Sequence, residues 1–332
     1  MPSAAPGRPF ADMGIPTLVA IGKATQDVFM RSSKLFEPHE HKGVLYEQLP
    51  LGKKLELDEV IFETGGNVTN AATTFARQGL TVEFVWILGT DVSSRGILHA
   101  LGAEGIGTSH VNVNAAFAAS YSAILLAQSG ERTILNYRGT LPTPGQLDLS
   151  PVASADWVYL SSLGNMTVLR ATISAAREHG AKVMLNPAGS ELREPVELMA
   201  LLETIDVLAV NKEEAQLLVR GNTVEELARD ASSHCPVVIV SDGPNGAVVT
   251  DGTTIIESGL YEDAPVVDRT GCGDAFGSGF LSQWAQGRSL RDSVIFASAN
   301  STSVMGKIGA KAGIVRAGTP LHDMPLRERP FR

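Results

Sequence analysis

The sequence contains few of the residues that mark several large classes of protein. Two cysteines in 332 residues cannot form the disulfide framework of a small secreted domain, so we expect a cytoplasmic protein. Neither cysteine has partners at zinc-binding spacing, and no apolar run approaches the roughly 20 residues that span a bilayer. Acidic residues outnumber basic ones and give a formal net charge of −9, which argues against binding to nucleic-acid phosphates. The sequence therefore predicts that neither a membrane nor a nucleic acid is a partner.

Two common phosphate-binding motifs are also missing. The chain has no Gly-x-x-x-x-Gly-Lys-Ser/Thr segment, which excludes a P-loop protein. Gly271 and Gly273 have the spacing of a dinucleotide-binding loop, but Phe276 stands where that loop requires its third glycine. A dehydrogenase therefore loses its main support.

Glycine, by contrast, is abundant: the chain has 33, about a tenth of its residues against an average of about 7%. One cluster, Gly271-Cys272-Gly273, leads into an apolar helix and is followed by Asp274. Free N–H groups at a helix start bind anions, and small residues let phosphate oxygens approach the backbone. A carboxylate beside an anion is explained if Asp274 is a general base that takes a proton from an attacking hydroxyl. A helix cap is an equally good explanation.

A second cluster, Gly65-Gly66, begins another helix and is followed by Asn67 and Asn70. Paired glycines permit close approach of a ligand, and the two amides suit hydroxyl groups. A structural turn with an N-cap residue explains the same pattern. Asp27 comes just after the first predicted strand, at the carboxyl end of a sheet element, where open α/β sheets bind ligands.

The pattern of elements predicts an α/β fold. After Pro151 strands and helices alternate, which predicts a mostly parallel sheet covered on both faces. More polar strands near 31–62 and 109–140 do not fit that core, so we expect them in a small β-sheet lid. Within the second range, 109–113, 120–127 and 132–137 are predicted to be successive antiparallel strands, the last two joined through 128–131. We expect one domain over 17–320, with tails at 1–16 and 321–332.

Taken together, Gly65-Gly66 with Asn70 and Gly271-Cys272-Gly273-Asp274 resemble the two motifs of the ribokinase-like (PfkB) carbohydrate kinase family. Supporting motifs lie between them in the expected order: Gly89-Thr-Asp91 with Gly96, Asn186-Pro-Ala188, Asn211-Lys-Glu-Glu214 and Ser241-Asp-Gly243-Pro-Asn-Gly246. The resemblance covers about 17–319. It implies a three-layer α/β/α sandwich with a small lid, and ATP-dependent transfer of the γ-phosphoryl group to a hydroxymethyl of a sugar.

The resemblance assigns roles residue by residue. It implies that Asp274 is the catalytic base beside an anion hole of N–H groups from Gly271, Cys272 and Gly273. Positions that resemble those holding substrate hydroxyls are Asp27, Gly65, Gly66 and Asn70, to which we add Asn67. Positions that resemble the nucleotide site are Asn211, Glu214, Ser241, Gly243, Gly246, Asn300 and Gly309.

Cofactors follow from the same resemblance. Asn211 and Glu214 match an Asn-x-x-Glu motif that organises Mg²⁺ through water, although Glu three residues after a cap residue also forms a capping box. Asp268 and Thr270 resemble part of a monovalent-cation site, which potassium would occupy. Cys272 departs from the usual Ala or Gly; its thiol is either a packing group or a site of oxidation.

Three expectations concern partners. Arg138 lies at the end of a lid strand, where it either faces the substrate or is a surface arginine. Lid strand edges often pair between subunits, so we expect a homodimer. The acceptor is a sugar, with a nucleoside as the alternative within the family and a non-catalytic ligand-binding protein as the alternative outside it. An intact Asp274 argues against the non-catalytic protein.

Overall fold

The computed structural model describes residues 14–127, 132–262 and 264–332. Most of the predicted tail at 1–16 and the predicted connection at 128–131 lie outside the described residues. In chain order the described strands are β1 (Thr17–Gly22), β2 (Thr25–Arg31), β3 (His39–His41), β4 (Val44–Tyr46), β5 (Glu59–Gly65), β6 (Thr81–Val85), β7 (Ile87–Leu88), β8 (Asn112–Val113), β9 (Ser120–Leu126), β10 (Arg132–Tyr137), β11 (Trp157–Ser161), β12 (Lys182–Asn186), β13 (Val207–Asn211), β14 (Val237–Ser241), β15 (Ala247–Thr250), β16 (Thr254–Ser258) and β17 (Leu326–Pro330).

Helices cover the central sheet in two groups. The described helices are α1 (Asn67–Arg77), α2 (Val92–Ala103), α3 (Met166–Glu178), α4 (Pro195–Leu202), α5 (Lys212–Leu218), α6 (Val224–Ala231), α7 (Cys272–Trp284) and α8 (Leu290–Met305). One group is α1, α7 and α8, and the other is the succession from α3 to α6. Among the described residues, no helix combines the length and the apolar character needed to cross a bilayer.

The central sheet has nine strands in the order β17-β16-β15-β14-β13-β12-β11-β1-β6. The strands from β6 to β14 in this order pair in parallel, and β15 to β17 are antiparallel. The four residues from Leu18 to Ile21 have no exposed surface, as expected for a strand covered by helices on both faces. The predicted α/β fold with a mostly parallel sheet is therefore confirmed.

Parallel pairing brings the ends of distant strands together. Gly22 lies opposite Ser161, Ser161 opposite Asn186, and Asn211 opposite Ser241. Each of these residues is the last of its strand. Polar groups and one glycine are thus collected along the carboxyl edge, which is where open α/β sheets bind ligands.

A second sheet has four strands in the order β10-β9-β2-β5. It contains the predicted strands at 120–127 and 132–137, but it also contains β2, for which the sequence predicted no strand. The expectation that 109–113 joins it was wrong, because β8 pairs in parallel with β7. Most of 31–62 is also outside it, since β3 and β4 form a separate hairpin. Within 31–62, only Arg31 in β2 and the residues 59–62 in β5 belong to the second sheet.

The expectation that 321–332 is a tail was also wrong. Leu326–Pro330 forms β17 and pairs antiparallel with β16 at the edge of the central sheet. Arginines of this strand bind acidic residues. The Arg329 guanidinium, 26% exposed, lies 2.5 Å from a Glu225 carboxylate oxygen and also binds Glu257.

We predict that Arg329→Ala lowers the free energy of unfolding by about 1–3 kcal/mol, because it removes charge-assisted hydrogen bonds from two half-buried carboxylates. Arg327→Ala is the matched control, since Arg327 is 75% exposed and lies 3.6 Å from Glu257. We expect the control to change the free energy by less than about 0.5 kcal/mol. Urea denaturation measures both, and equal effects would contradict a structural role for β17.

Candidate active site

The start of α7 forms the centre of the candidate site. Gly271 precedes the helix with φ +77°, in the left-handed region that favours glycine. A Cβ atom at Gly271 would lie 2.3 Å from the Cβ of Ala310, so no larger residue fits without moving the 309–315 segment. The N–H of Cys272 has a long contact of 3.4 Å with the Arg269 carbonyl. The N–H groups of a first helical turn lack partners within the helix and favour an anion.

Asp274 lies in this first turn and points towards α1. The Nδ2 of Asn70 donates to Asp274 Oδ2 at 2.9 Å, so residues 204 positions apart in the chain meet here. Burial raises the pKa of Asp274 to about 6. The Asn70 hydrogen bond and the charge of Lys311 lower this pKa, while the charges of Glu214 and Asp27 raise it. A carboxylate with a pKa near neutrality is suited to proton transfer.

The second sheet contributes further polar groups to the candidate site. Asp27 on β2 lies opposite Ser122 on β9, and the Ser122 hydroxyl binds the Asp27 carboxylate. Asn136 Nδ2 on β10 donates to Ser122 Oγ at 3.2 Å. Asp27 is 8% exposed, and burial raises its pKa. These groups are donors and acceptors of the kind that bind hydroxyl groups.

The paired glycines lie against this row. A Cβ at Gly65 would lie 1.8 Å from Asp27 Oδ2, and a Cβ at Gly66 would lie 2.5 Å from the Lys23 carbonyl oxygen. Both glycines are therefore required by close approach. Asn67 is the first residue of α1 and is half-buried. The structure thus brings together Asp27, Gly65, Gly66, Asn70 and Asp274.

A cavity of about 510 Å³ borders the start of α7. Asn211, Ser241, Gly243 and Gly246 line it from the carboxyl edge of the sheet, and Cys272 and Gly273 line it from α7. The cavity is also lined by the apolar side chains of Val266, Phe276 and Met305, by the ring of Tyr261, and by the charged residues Lys212, Glu213, Asp242 and Arg269. A cavity that combines apolar surface, charged groups and a helix N-terminus suits a planar base attached to phosphates.

Asn211 and Glu214 form both bonds of a capping box. Asn211 Oδ1 accepts from the Glu214 N–H at 2.8 Å, and Glu214 Oε2 accepts from the Asn211 N–H at 2.9 Å. Burial raises the pKa of Glu214. One Glu214 oxygen is used in the cap, and a carboxylate has a second oxygen that can accept from water. The capping role and an outer contact to hydrated Mg²⁺ are therefore compatible. In the described parts of the chain, no three His, Cys, Asp or Glu side chains form a preassembled metal cluster.

Asp268 acts as a clamp between loops. Its Oδ1 accepts from the N–H of Thr270 at 2.9 Å and from the Thr270 hydroxyl at 2.7 Å, and its Oδ2 accepts from the Gly309 N–H at 3.0 Å. Gly309 faces the second sheet, where a Cβ would lie 3.4 Å from Glu63 and 3.7 Å from Phe29. Gly309 is therefore not part of the lining of the 510 Å³ cavity. The monovalent-cation site remains a prediction.

Asn300 has a packing role in place of the predicted nucleotide contact. It is buried, with no exposed surface. Its Nδ2 donates to the Ala275 carbonyl at 2.8 Å, and its Oδ1 accepts from the Val315 N–H at 2.9 Å. A side chain with both amide groups used in this way joins α8 to α7 and cannot reach a ligand.

Arg138 is exposed just beyond β10. Burial lowers the pKa of Lys23, and the charge of Arg138 lowers it further. Arg138 therefore lies within electrostatic reach of Lys23, at the end of β1. Its contact with a substrate remains a prediction.

Three residues of the site were missed by sequence reasoning: Ser122, Asn136 and Lys311. Ser122 and Asn136 are ordinary polar residues of a half-exposed sheet until strand pairing aligns them with Asp27. Lys311 is 8% exposed and binds Asn70 Oδ1 at 2.7 Å. A lysine within the small and apolar segment 308–315 is an unusual feature, but nothing in the sequence indicates its partner.

Comparison with known proteins gives a consistent result. The model of the pfkB family of carbohydrate kinases matches residues 18–316. The chain is 25% identical to a ribokinase of Haemophilus influenzae over 263 residues, which cover 75% of this chain and 83% of the relative. Among solved structures, ribokinase of Arabidopsis thaliana complexed with ribose and ATP superposes with a TM-score of 0.74 at 24% identity, covering 91% of this chain and 96% of that one. Adenosine kinase of Sinorhizobium meliloti gives a TM-score of 0.74 at 21% identity, covering 90% and 95%.

Both cysteines are free thiols, and we predict that both resist alkylation. Burial raises the pKa of Cys272 to about 11 and that of Cys235 to about 12, so the reactive thiolate is scarce at pH 8. Iodoacetamide labelling at pH 8, followed by mass spectrometry, is expected to be about tenfold or more slower than that of free cysteine. Labelling in guanidinium is the control, and rapid labelling of folded Cys272 would contradict a packing role.

Proposed function

Because the chain belongs to the pfkB family of carbohydrate kinases, we propose that it transfers the γ-phosphoryl group of ATP to a hydroxymethyl group of a sugar, with Asp274 as general base. Family membership makes the chain a phosphotransferase with an alcohol acceptor. The observation that carries the finer proposal is the hydrogen bond between Asn70 and Asp274. It puts a carboxylate of raised pKa between a cavity suited to a nucleotide and a row of groups suited to hydroxyls.

The reaction uses the two sides of α7 separately. ATP phosphates bind at the helix start, where N–H groups of the Gly271–Gly273 turn face them. The acceptor hydroxyl is held by Asp27, Asn70 and the backbone at Gly65-Gly66. Asp274 accepts its proton as the hydroxyl oxygen attacks the γ-phosphorus, the bond to the β–γ bridging oxygen breaks, and ADP leaves. The Arabidopsis ribokinase solved with ribose and ATP supports both ligands.

Asn211 and Glu214 are the residues that would hold hydrated Mg²⁺. When bound, Mg²⁺ neutralises charge on the phosphates. The role of the chain's own residues is to hold the Glu214 carboxylate in one orientation through the capping box.

A sugar acceptor is favoured over a nucleoside by the polarity of the acceptor side. Asp27, Ser122 and Asn136 form a polar row across three strands. Two phenylalanines of this region do not form a common base pocket: Phe29 lies beside Gly309, whereas Phe36 packs in a separate cluster with Leu125 and Ala127. A panel of sugars and nucleosides, assayed for phosphate transfer from ATP, tests this preference. If only nucleosides are phosphorylated, the acceptor is a nucleoside and the proposal of a sugar acceptor is wrong.

We predict that Asp274→Asn lowers kcat by about two orders of magnitude or more, because the amide cannot accept the acceptor's proton. The KM for ATP and the thermal midpoint are expected to stay near those of the wild type. Asp292→Asn is a matched control: Asp292 also occupies the first turn of a helix, α8, and is exposed. Wild-type turnover in Asp274→Asn would overturn the assignment of the base.

The pH profile gives an independent readout. Burial raises the pKa of Asp274 to about 6, and a base acts in its ionised form. We therefore expect kcat/KM for the acceptor to be level above this pKa and to fall as the pH drops through about 6. A profile that is flat down to pH 5 would contradict the assignment.

The homodimer is proposed to form through the second sheet. Val60, Phe62, Leu135 and Tyr137 lie on the face directed away from Asp27, as the strand register requires. Phe62 is 71% exposed and Leu135 58%. Exposed apolar side chains grouped on one sheet face, with free strand edges beside them, favour contact with a second copy.

We predict that light scattering at micromolar concentration gives twice the chain's mass for the wild type and the single-chain mass for Phe62→Asp with Leu135→Asp. A charge buried in an apolar interface is unfavourable. Val196→Asp is the control, because Val196 is 83% exposed on α4, a helix that packs beside α3 and α5. A monomeric wild type would contradict the proposed dimer.

A further inference from the structure

A buried lysine connects the acceptor side of the site to the proposed base. Lys311, 8% exposed, donates from Nζ to the Thr64 carbonyl, to Thr69 Oγ1 at 2.9 Å and to Asn70 Oδ1 at 2.7 Å. An ammonium group has three donors and no acceptor. These three oxygens therefore use its full hydrogen-bonding capacity.

The contact with Lys311 fixes the orientation of the Asn70 amide. Because Nζ only donates, the Asn70 oxygen must face it, and the NH₂ group must then face Asp274, to which it donates at 2.9 Å. The opposite orientation would put NH₂ against an ammonium and the oxygen against a carboxylate. Both contacts would be repulsive, so Lys311 selects the orientation that binds ionised Asp274.

The charge of Lys311 acts on Asp274 directly. Burial lowers the pKa of Lys311 to about 8; the carboxylates of Asp27, Glu63 and Asp274 raise it, and the charge of Arg77 lowers it. Asp274 is acted on by Lys311, by the Asn70 amide, and by the carboxylates of Glu214 and Asp27. Lys311 is thus charged over the range near pH 6 in which Asp274 titrates.

We propose that Lys311 is a positioning residue for the phosphoryl-transfer reaction: it orients Asn70 against Asp274, and its positive charge keeps that carboxylate ionised near neutral pH. The inference rests on the proposed function of Asp274 as general base. In this proposal the cation that stabilises the ionised base is Lys311, which lies on the segment after α8, 37 residues from Asp274 in the chain.

Lys311→Met tests the proposal, since Met retains most of the side-chain volume and removes the charge and the donors. We expect the acid limb of the kcat profile to move up by about one pH unit, the size typical of a lost opposite charge. Turnover then falls about fivefold more at pH 6 than at pH 8, with the KM for ATP unchanged. Lys307→Met is the control, because Lys307 is exposed on the same segment, and its acid limb is expected to stay in place.

Two results would contradict the proposed role of Lys311. An acid limb that stays in place, or an equal loss of turnover at all pH values, would reduce Lys311 to a structural residue and overturn the proposal. Lys311→Gln provides the same test if the Met variant does not fold, since Gln keeps a donor and removes the charge. The Asp274→Asn variant distinguishes the failures: if it keeps wild-type turnover, the proposed function fails, whereas if only the Lys311 variants lack the shift, the inference fails alone.

Discussion

The contact between α1 and α7 is the constraint on which the rest of the site depends. Three polar pairs form a seam along these helices: Asn70 with Asp274 at 2.9 Å, Ser278 Oγ with Thr74 Oγ1 at 2.9 Å, and Gln283 Nε2 with Gln78 Oε1 at 3.1 Å. The first two pairs are four residues apart on each helix, which is one helical turn. An unpaired buried polar group lowers the stability of the folded state. A slip of one helix along the other would break these pairs and is therefore unfavourable. The register that satisfies the seam is also the register that brings Asp274 to the acceptor side.

The pKa values of the carboxylates in the candidate site are determined mainly by burial and not by the net charge of the chain. Burial raises the pKa of Asp27, Glu63 and Asp274, because the three carboxylates lose hydration in a small space. A single buried lysine, Lys311, partly offsets this effect. In the proposed mechanism the anionic cosubstrate binds elsewhere, at the start of α7, where backbone N–H groups favour phosphates without a basic surface. A chain with a net charge of −9 can therefore bind ATP.

The parts of the candidate site that the sequence predicted are those that are local in the chain. Gly65-Gly66 and Gly271-Cys272-Gly273-Asp274 are short segments whose conformation is determined by glycine and by a helix start, so their spacing carries the information. Lys311 was missed because its partner Asn70 lies 241 residues away, and no local pattern reports a long-range hydrogen bond. Asn300 was predicted to contact the nucleotide because of its position in the chain. In the structure its amide instead bonds to the backbone of Ala275 and Val315, and these are long-range contacts that the sequence does not report. The last strand, β17, was missed because its arginines are typical of a tail until Glu225 and Glu257 are placed beside it.

Two glycines at the ends of second-sheet strands lie where backbone segments cross closely. A Cβ at Gly66 would lie 2.5 Å from the Lys23 carbonyl oxygen, and a Cβ at Gly139 would lie 2.6 Å from the Ala118 carbonyl oxygen. Each glycine is thus at a crossing where two backbone segments touch, next to β5 or β10. Asp27 of the second sheet, with Ser122 and Asn136 in register beside it, is close enough to Asp274 on α7 for its charge to raise the pKa of Asp274. Asp274 itself keeps some exposed surface, so in the proposed mechanism the bound acceptor displaces the water that would otherwise attack ATP.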